Sequence, residues 1–219
     1  MKYKALIFDL DGTLLNSIED IKDSCNEALS YYQLKTFEVC DYKLFVGDGV
    51  DMLIKRVLSS QDHHESLFID VKTRYLETYT LLQHHKTAPY DGIIDLLDFA
   101  KNNQINCYVL SNKPHLDTLS VINYFFPENT FNEIVGKKEG YLPKPDPTLL
   151  LELIENIPCK STEILYIGDT YTDMMTAQNG HLISVGVLWG FRDRDELKKG
   201  KASYIVSTPN EIISLLKKE

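Results

Sequence analysis

The sequence predicts an α/β fold: a parallel sheet covered on both faces by helices and interrupted early by an all-helical insertion. Short, β-rich apolar runs recur along the chain, and stretches with helical spacing lie between them. Continuous apolar strands alternating with helices are the pattern of a buried parallel sheet, because crossover helices cover both of its faces. That alternation breaks between residue 18 and about residue 86, where helical spacing is continuous.

The first strand is "ALIFDL" (5–10). The insertion follows. "SIEDIKDSCNEALSYY" places Ile18, Ile21, Cys25, Ala28, Leu29 and Tyr32 on one stripe, and "GVDMLIKRVLSS" and "ESLFIDVKTRYLETYTLLQHH" continue in helical spacing. The alternation resumes near Asp91, where "DGIIDLLDFAKNN" sets Ile93, Ile94, Leu97 and Ala100 on one face. Further strands are expected at "INCYVL" (105–110), "EIVG" (133–136), "ILYIGD" (164–169), "LISVGVLW" (182–189) and "YIV" (204–206). "DPTLLLELIENI" reads as a helix with Pro147 just inside an N-cap at Asp146. "TPNEIISLLKKE" closes the chain with cations in its last turn, where the helix dipole favours them. The expected division is residues 1–15 and 88–219 as the sheet domain and 16–87 as the helical domain.

At 219 residues, the chain is long enough for one generous domain or two unequal ones. Its 43% hydrophobic and 25% charged residues are an ordinary globular balance. A formal charge of −9 argues against a nucleic-acid partner, which needs a basic face to displace counterions. It does not exclude a small anionic substrate, since a few local cations and a metal reverse the field inside a cleft. Cys25, Cys40, Cys107 and Cys159 are widely spaced and form no C-x-x-C pair, which suits a reducing compartment. The first apolar run is too short for a signal peptide, and no window reaches a membrane span. The expectation is a cytoplasmic protein without a membrane partner.

Ligands of open parallel sheets sit at the carboxyl ends of the strands. The polar residues expected there are Asp9 and Asp11 after the first strand, then Ser111, Asn112 and Lys113 after "CYVL". Lys144 in "LPKPDP", and Asp169 and Asp173 in "YIGDTYTD", complete the set. Taken singly, each has a structural alternative: a turn at the D-x-D, an N-cap at Ser111, a surface charge at Lys144, a helix start at G-D-T. Four such motifs in order are far more specific than any one of them.

"DLDGTLLNS", "VLSNKP", "KPDP" and "IGDTYTD" resemble, in that order, the four signature motifs of the haloacid dehalogenase superfamily, spanning residues 5 to 180. The resemblance implies a Rossmann-like core with an inserted all-helical cap, and a Mg²⁺-dependent phosphatase with an aspartate nucleophile. On that pattern Asp9 attacks phosphorus, which suits a carboxylate already ionised at neutral pH. Asp11 gives a proton to the leaving oxygen and later takes one from water. Mg²⁺ is held by Asp9, the Asp11 carbonyl and Asp169, hard oxygen donors that suit the ion. Ser111 bonds the phosphoryl group, Lys144 neutralises charge, and Asp173 holds Lys144. Gly12 and Thr13 shape the phosphate-facing turn, with Asn112 and Lys113 beside it. Two carboxylates with different tasks are best separated by environment, which leads us to expect Asp9 held ionised by the metal and Asp11 pushed upward. Ionised Asp9, Asp169 and Asp173 with a phosphate dianion outweigh Mg²⁺ and Lys144, so Lys113 or a cap cation is expected to contribute and the cap to close.

Dehalogenases of the superfamily lack an aspartate at the position of Asp11, so its presence favours phosphoryl transfer. "GDGVDMLIKR" (47–56) resembles the cap pattern of the phosphoglycolate phosphatase branch, with Gly47, Gly49 and Arg56 as its candidates for substrate contact. The alternatives are a flexible loop joining helices for the two glycines and a solvated helix charge for Arg56. "VGVLWGF" and "RDRDEL" resemble that branch's C-terminal stretch. The expected partner is a small phosphorylated metabolite, most simply 2-phosphoglycolate, and the expected assembly is a monomer or homodimer. A phosphosugar mutase is disfavoured because "FVGDGVD" carries no cation. Pyrophosphatase and nucleotidase activities stay open. A catalytically silent binding module is disfavoured by the intact set of acids, serine and lysine. The pairs His63-His64 and His84-His85 are read as solvated rather than as a metal site.

Overall fold

The computed structural model describes residues 1–59 and 65–218; His63 and His64 lie outside the described residues. Among the described residues a six-stranded sheet has the order β5-β4-β1-β6-β7-β8, formed by β1 (Ala5–Phe8), β4 (Asn106–Pro114), β5 (Glu133–Lys137), β6 (Ile164–Gly168), β7 (Ile183–Val187) and β8 (Tyr204–Val206). Every neighbouring pair in it is parallel. β1 lies at the centre, so its side chains alternate between two apolar layers. Leu6 and Phe8 pack with Ile93, Leu96 and Ile212, while Ala5 and Ile7 pack with Leu150, Leu153 and Ala177. The covering helices are α5 (Ile93–Asn102), α6 (His115–Phe125), α7 (Thr148–Glu155), α8 (Tyr171–Asn179), α9 (Arg194–Lys199) and α10 (Pro209–Lys217).

The chain runs from β1 outward to β4 and β5, then crosses back to β6 on the other side of β1. The loops after β1 and β6 therefore part company at the carboxyl edge and leave a crevice, the usual ligand position in such sheets.

Between β1 and β4 the chain forms helices α1 (Ile18–Tyr31), α2 (Val39–Phe45), α3 (Val50–Leu58) and α4 (Phe68–Leu82). These bury a separate apolar cluster around Ile21, Cys25, Ile54, Val57, Tyr75 and Tyr79. The chain enters and leaves them through a short antiparallel ladder, β2 (Leu15–Asn16) with β3 (Ala88–Pro89). Asp20, 1% exposed, fastens this neck. Its carboxylate accepts from the Lys86 amide at 3.0 Å, the Thr87 amide at 2.8 Å and the Thr87 hydroxyl at 2.7 Å.

Several boundaries differ from the sequence reading. β1 ends at Phe8 rather than residue 10, because the Leu10 carbonyl accepts the amides of Leu14 and Leu15 and turns the chain. β4 runs on to Pro114 with a register irregularity after Leu110, so Ser111, Asn112 and Lys113 continue a strand instead of forming a loop. In α5 it is Leu96, not Ile94, that joins the buried face; Ile94 is 44% exposed. The helical i, i+3, i+4, i+7 set is 93, 96, 97, 100. α7 begins at Thr148 with Pro147 rather than Asp146 at its N-cap, and Asp146 accepts the Thr148 amide at 3.0 Å from the turn before it. His84 is half-buried, stacked on Tyr124 at 4.2 Å between ring centres, and His85 is exposed. Cys25, Cys40, Cys107 and Cys159 are unpaired thiols. Among the described residues no helix is long and apolar enough to cross a membrane.

Removing the Asp20 carboxylate strips the neck of several charge-assisted hydrogen bonds, each worth about 1.5–3 kcal/mol. Asp20→Ala is therefore expected to lower the unfolding free energy by about 2–3 kcal/mol in urea titration.

Candidate active site

The loop after β1 is a compact turn in which the Gly12 amide bonds the Leu15 carbonyl at 2.9 Å. Gly12 adopts φ +91°, and a Cβ there would lie 2.4 Å from Asp169 Oδ2. Only glycine lets the β1 and β6 loops meet so closely. The same approach operates from the third side, where a Cβ on Gly190 would fall 2.3 Å from the Gly12 carbonyl oxygen. Thr13, fully buried, directs its hydroxyl toward Asp169 Oδ1 at 3.4 Å, and its carbonyl accepts the Trp189 indole N–H at 3.0 Å. Thr13 therefore shapes the turn from behind and does not line the cleft above Asp9.

Lys144 is the hub. Its ammonium donates to Asp9 Oδ1 at 2.6 Å, Asp173 Oδ1 at 2.7 Å, the Leu110 carbonyl at 3.1 Å and the Tyr166 hydroxyl at 3.2 Å. Burial disfavours the ammonium, but Asp173 and Asp9 outweigh it and hold the lysine well above its ordinary pKa. Asp173 Oδ2 is also engaged, accepting from the Thr170 amide at 3.1 Å and the Thr170 hydroxyl at 2.6 Å at the start of α8. Burial lifts Asp9 up to about 7 against the pull of Lys144, with Asp173 adding to the rise. Burial, then Asp173 and Asp9, push Asp169 well above the carboxylate range, opposed by the Phe191 amide donating to Oδ2 at 2.8 Å.

Among the described residues, Asp9, Asp169 and Asp173 form a group able to hold a metal ion, with ligand oxygens within 4.8 Å of one another. The fit is chemical as well as spatial. Buried carboxylates that outnumber the neighbouring ammonium lack positive charge, and hard oxygen donors suit Mg²⁺. Asp173 is bonded at both oxygens by Lys144 and Thr170, and Asp169 accepts at both as well, from the Phe191 amide at 2.8 Å and more weakly from Thr13 at 3.4 Å, while Lys144 engages Asp9 at Oδ1.

The Asp11 side chain faces away from that group. Lys113 donates to its Oδ2 at 2.8 Å and Ser17 to its Oδ1 at 2.5 Å. Ser111 Oγ accepts the Lys113 amide at 3.1 Å and lines the cleft beside Asp9 and Asp11. Asn112 ties loops together: its Oδ1 accepts the Lys144 amide at 2.7 Å, and its Nδ2 donates to the carbonyls of Gly47 at 3.0 Å and Lys144 at 3.2 Å. Gly47 and Gly49 both border the cleft. Their loop is not free, because Arg192 donates to the carbonyls of Lys43, Leu44 and Val46 and Thr172 donates to Asp48 at 2.6 Å.

Arg56, a candidate for substrate contact, lies away from the Asp9 cleft. Its guanidinium is clamped by Asp48 and the Phe45 carbonyl, and it borders a different cleft, with Arg192 and Lys199. Ser17, Tyr166, Arg192 and the Gly190-Phe191 backbone were missed by sequence reasoning. "VGVLWGF" and "RDRDEL", which hold Gly190, Phe191 and Arg192, resemble the branch's C-terminal stretch, but the sequence reading gave none of these residues a role.

A family profile described as "Haloacid dehalogenase-like hydrolase" matches residues 6–187. The chain belongs to the haloacid dehalogenase-like hydrolase family. A phosphoglycolate phosphatase from Mesorhizobium japonicum is 28% identical over 213 residues, 94% of this chain and 92% of that protein. One from Psychrobacter arcticus is 26% identical over 212 residues, 91% and 89% of the two chains. The crystal structure of a Lactobacillus delbrueckii subsp. bulgaricus protein, described provisionally as a phosphoglycolate phosphatase, superimposes with a TM-score of 0.89 at 31% identity, covering 100% of both chains. This hydrolase keeps the family's parallel sheet.

Truncating Lys144 would strand Asp9 and Asp173 as buried charges without their counter-ion. Lys144→Ala is expected to lose about 3–5 kcal/mol of folding free energy, read by urea denaturation monitored by circular dichroism.

Proposed function

We propose that the chain is a Mg²⁺-dependent phosphatase that hydrolyses a small phosphomonoester through an aspartyl-phosphate on Asp9. The observation that carries this reading is the buried cluster in which Lys144 joins Asp9 to Asp173 while Asp169 approaches from β6. The names of the relatives support it and make 2-phosphoglycolate the reference substrate.

In this reading Asp9 and Asp169 hold the ion, with the Asp11 carbonyl; the ion supplies charge neutralisation for the carboxylates and the phosphoryl oxygens. Asp9 forms the new O–P bond as the ester O–P bond breaks, and Lys144 keeps the Asp9 carboxylate oriented throughout. The leaving alkoxide takes a proton from Asp11, which must arrive protonated. The incoming phosphate dianion draws Lys113 off Asp11 and leaves that carboxyl free to bind the proton. In the second half Asp11 takes a proton from water as the water attacks the phosphoaspartate, releasing inorganic phosphate and restoring Asp9. Ser111 donates to a phosphoryl oxygen. The helical insertion serves as the cap, excluding bulk water while the phosphoaspartate exists.

Asp9→Asn should abolish Mg²⁺-dependent phosphate release from p-nitrophenyl phosphate, and acid quenching of the unaltered enzyme should trap phosphate on the peptide containing Asp9. Retained activity in the Asn variant would remove Asp9 from the nucleophile role. A second outcome follows from the raised Asp9 carboxyl, at about 7 against an ordinary 3.8. The fold without a divalent ion binds the extra proton, so its stability falls as pH climbs from about 4 to about 7. Mg²⁺ competes with that proton, so its affinity grows over the same range and levels off above it. The rise in melting temperature on adding Mg²⁺ should therefore be larger at pH 8 than at pH 5.

A further inference from the structure

The cleft above Asp9 and Asp11 continues into the helical insertion, where its wall is Ile21, Leu53, Leu76, Tyr75 and Tyr79. Three observations there bear on what leaves with the alcohol. The first is charge. Among the described residues lining the cleft, Lys113 is the cation, and its ammonium already sits 2.8 Å from Asp11. Asp117, in the first turn of α6, adds another carboxylate to the lining. The second is the absence of Arg56 from this wall, since it is held by Asp48 in a separate cleft. The third is Tyr79. Its ring stacks on Tyr75 at 5.7 Å and carries the Lys113 ammonium 4.5 Å from its centre, and its buried hydroxyl has no hydrogen-bond partner among the described residues. A buried hydroxyl left unpaired is unfavourable and marks a place where a bound group supplies the partner.

We propose that this pocket selects phosphomonoesters whose leaving group is uncharged, with an apolar face against the Tyr75–Tyr79 wall and a hydroxyl or carbonyl for Tyr79, over carboxylate-bearing esters such as 2-phosphoglycolate. This rests on the phosphatase reading above and sharpens its substrate class. A carboxylate entering here gives up its hydration to an apolar wall, meets the negative charge of Asp117 and finds the cleft's ammonium already committed to the phosphoryl group that enters with it. A neutral group meets the usual lining of a small-molecule site, apolar surface with a few polar anchors.

The test compares kcat/KM at fixed Mg²⁺ for 2-phosphoglycolate, its neutral counterpart 2-hydroxyethyl phosphate, and benzyl phosphate. Both neutral esters are expected to exceed 2-phosphoglycolate by at least about tenfold, the scale of discrimination a pocket of this kind gives. Asp117→Asn should raise the ratio of 2-phosphoglycolate to benzyl phosphate turnover, and Tyr79→Phe should lower the ratio of 2-hydroxyethyl phosphate to benzyl phosphate turnover. Preference for 2-phosphoglycolate, or a ratio that Asp117→Asn leaves unmoved, overturns the charge argument while the phosphatase reading stands. Failure of all three esters to release phosphate with Mg²⁺ present overturns the phosphatase reading, and this inference with it.

Discussion

The structure depends on one buried ammonium. Lys144 lies at the carboxyl edge of the sheet and touches Asp9 just after β1, the Leu110 carbonyl in β4 and Asp173 in α8 together. Without a counter-charge, Asp9 and Asp173 could not sit side by side in a site from which water is largely excluded. With it, the acids are held at hydrogen-bond distance and the helix that carries Asp173 is anchored through the Thr170 cap. One ammonium does not satisfy the whole acidic group: burial, with the acids' mutual repulsion added, still holds the carboxyls of Asp9 and Asp169 raised. An acidic group with too little positive charge is chemistry that suits a divalent cation. Structural stability and chemical competence here come from one electrostatic arrangement.

The position of the helical insertion follows from weaker, more numerous contacts. The segment 43–48, the end of α2 and the loop after it, is strapped by Arg192 and Thr172 and touched by Asn112 near the end of β4. These are polar contacts, several of them to backbone carbonyls, so they fix position without demanding a particular side chain on the loop. They close the cleft over Asp9 while its deeper wall stays apolar and aromatic. A substrate therefore meets two environments, an ionic floor for its phosphate and a mostly apolar wall for its alcohol.

Much of this was legible before any coordinates. The strand-and-helix alternation and the helical break after β1 follow from side-chain periodicity, which buried elements cannot escape. The charged motifs at strand ends were legible because acids ending apolar runs are costly unless something compensates them. Where the sequence reading went astray, a choice between near-equivalent local options was settled at a distance. Ile94 is the exception: the i, i+3, i+4, i+7 set from Ile93 reaches Leu96, Leu97 and Ala100, so helical periodicity itself favours Leu96, which packs in the core with Leu6 and Ile212. Ser111 to Lys113 read as loop because polar residues at a strand end look like one, yet β5 extends the pairing as far as Pro114.

The chain's own sequence determined the alternation of elements, the acids, serine and lysines available for chemistry, and the glycines that allow close approach. Tertiary structure alone decided which charges meet. Arg56 pairs with Asp48 within the insertion, Lys113 with Asp11 across 102 positions of chain, and Lys144 with Asp9 across 135. Charge pairing depends on distances of a few ångströms between segments far apart in the chain. No local pattern of residue types encodes such distances; the packing of the sheet, the neck at Asp20 and the straps on the 43–48 loop set them.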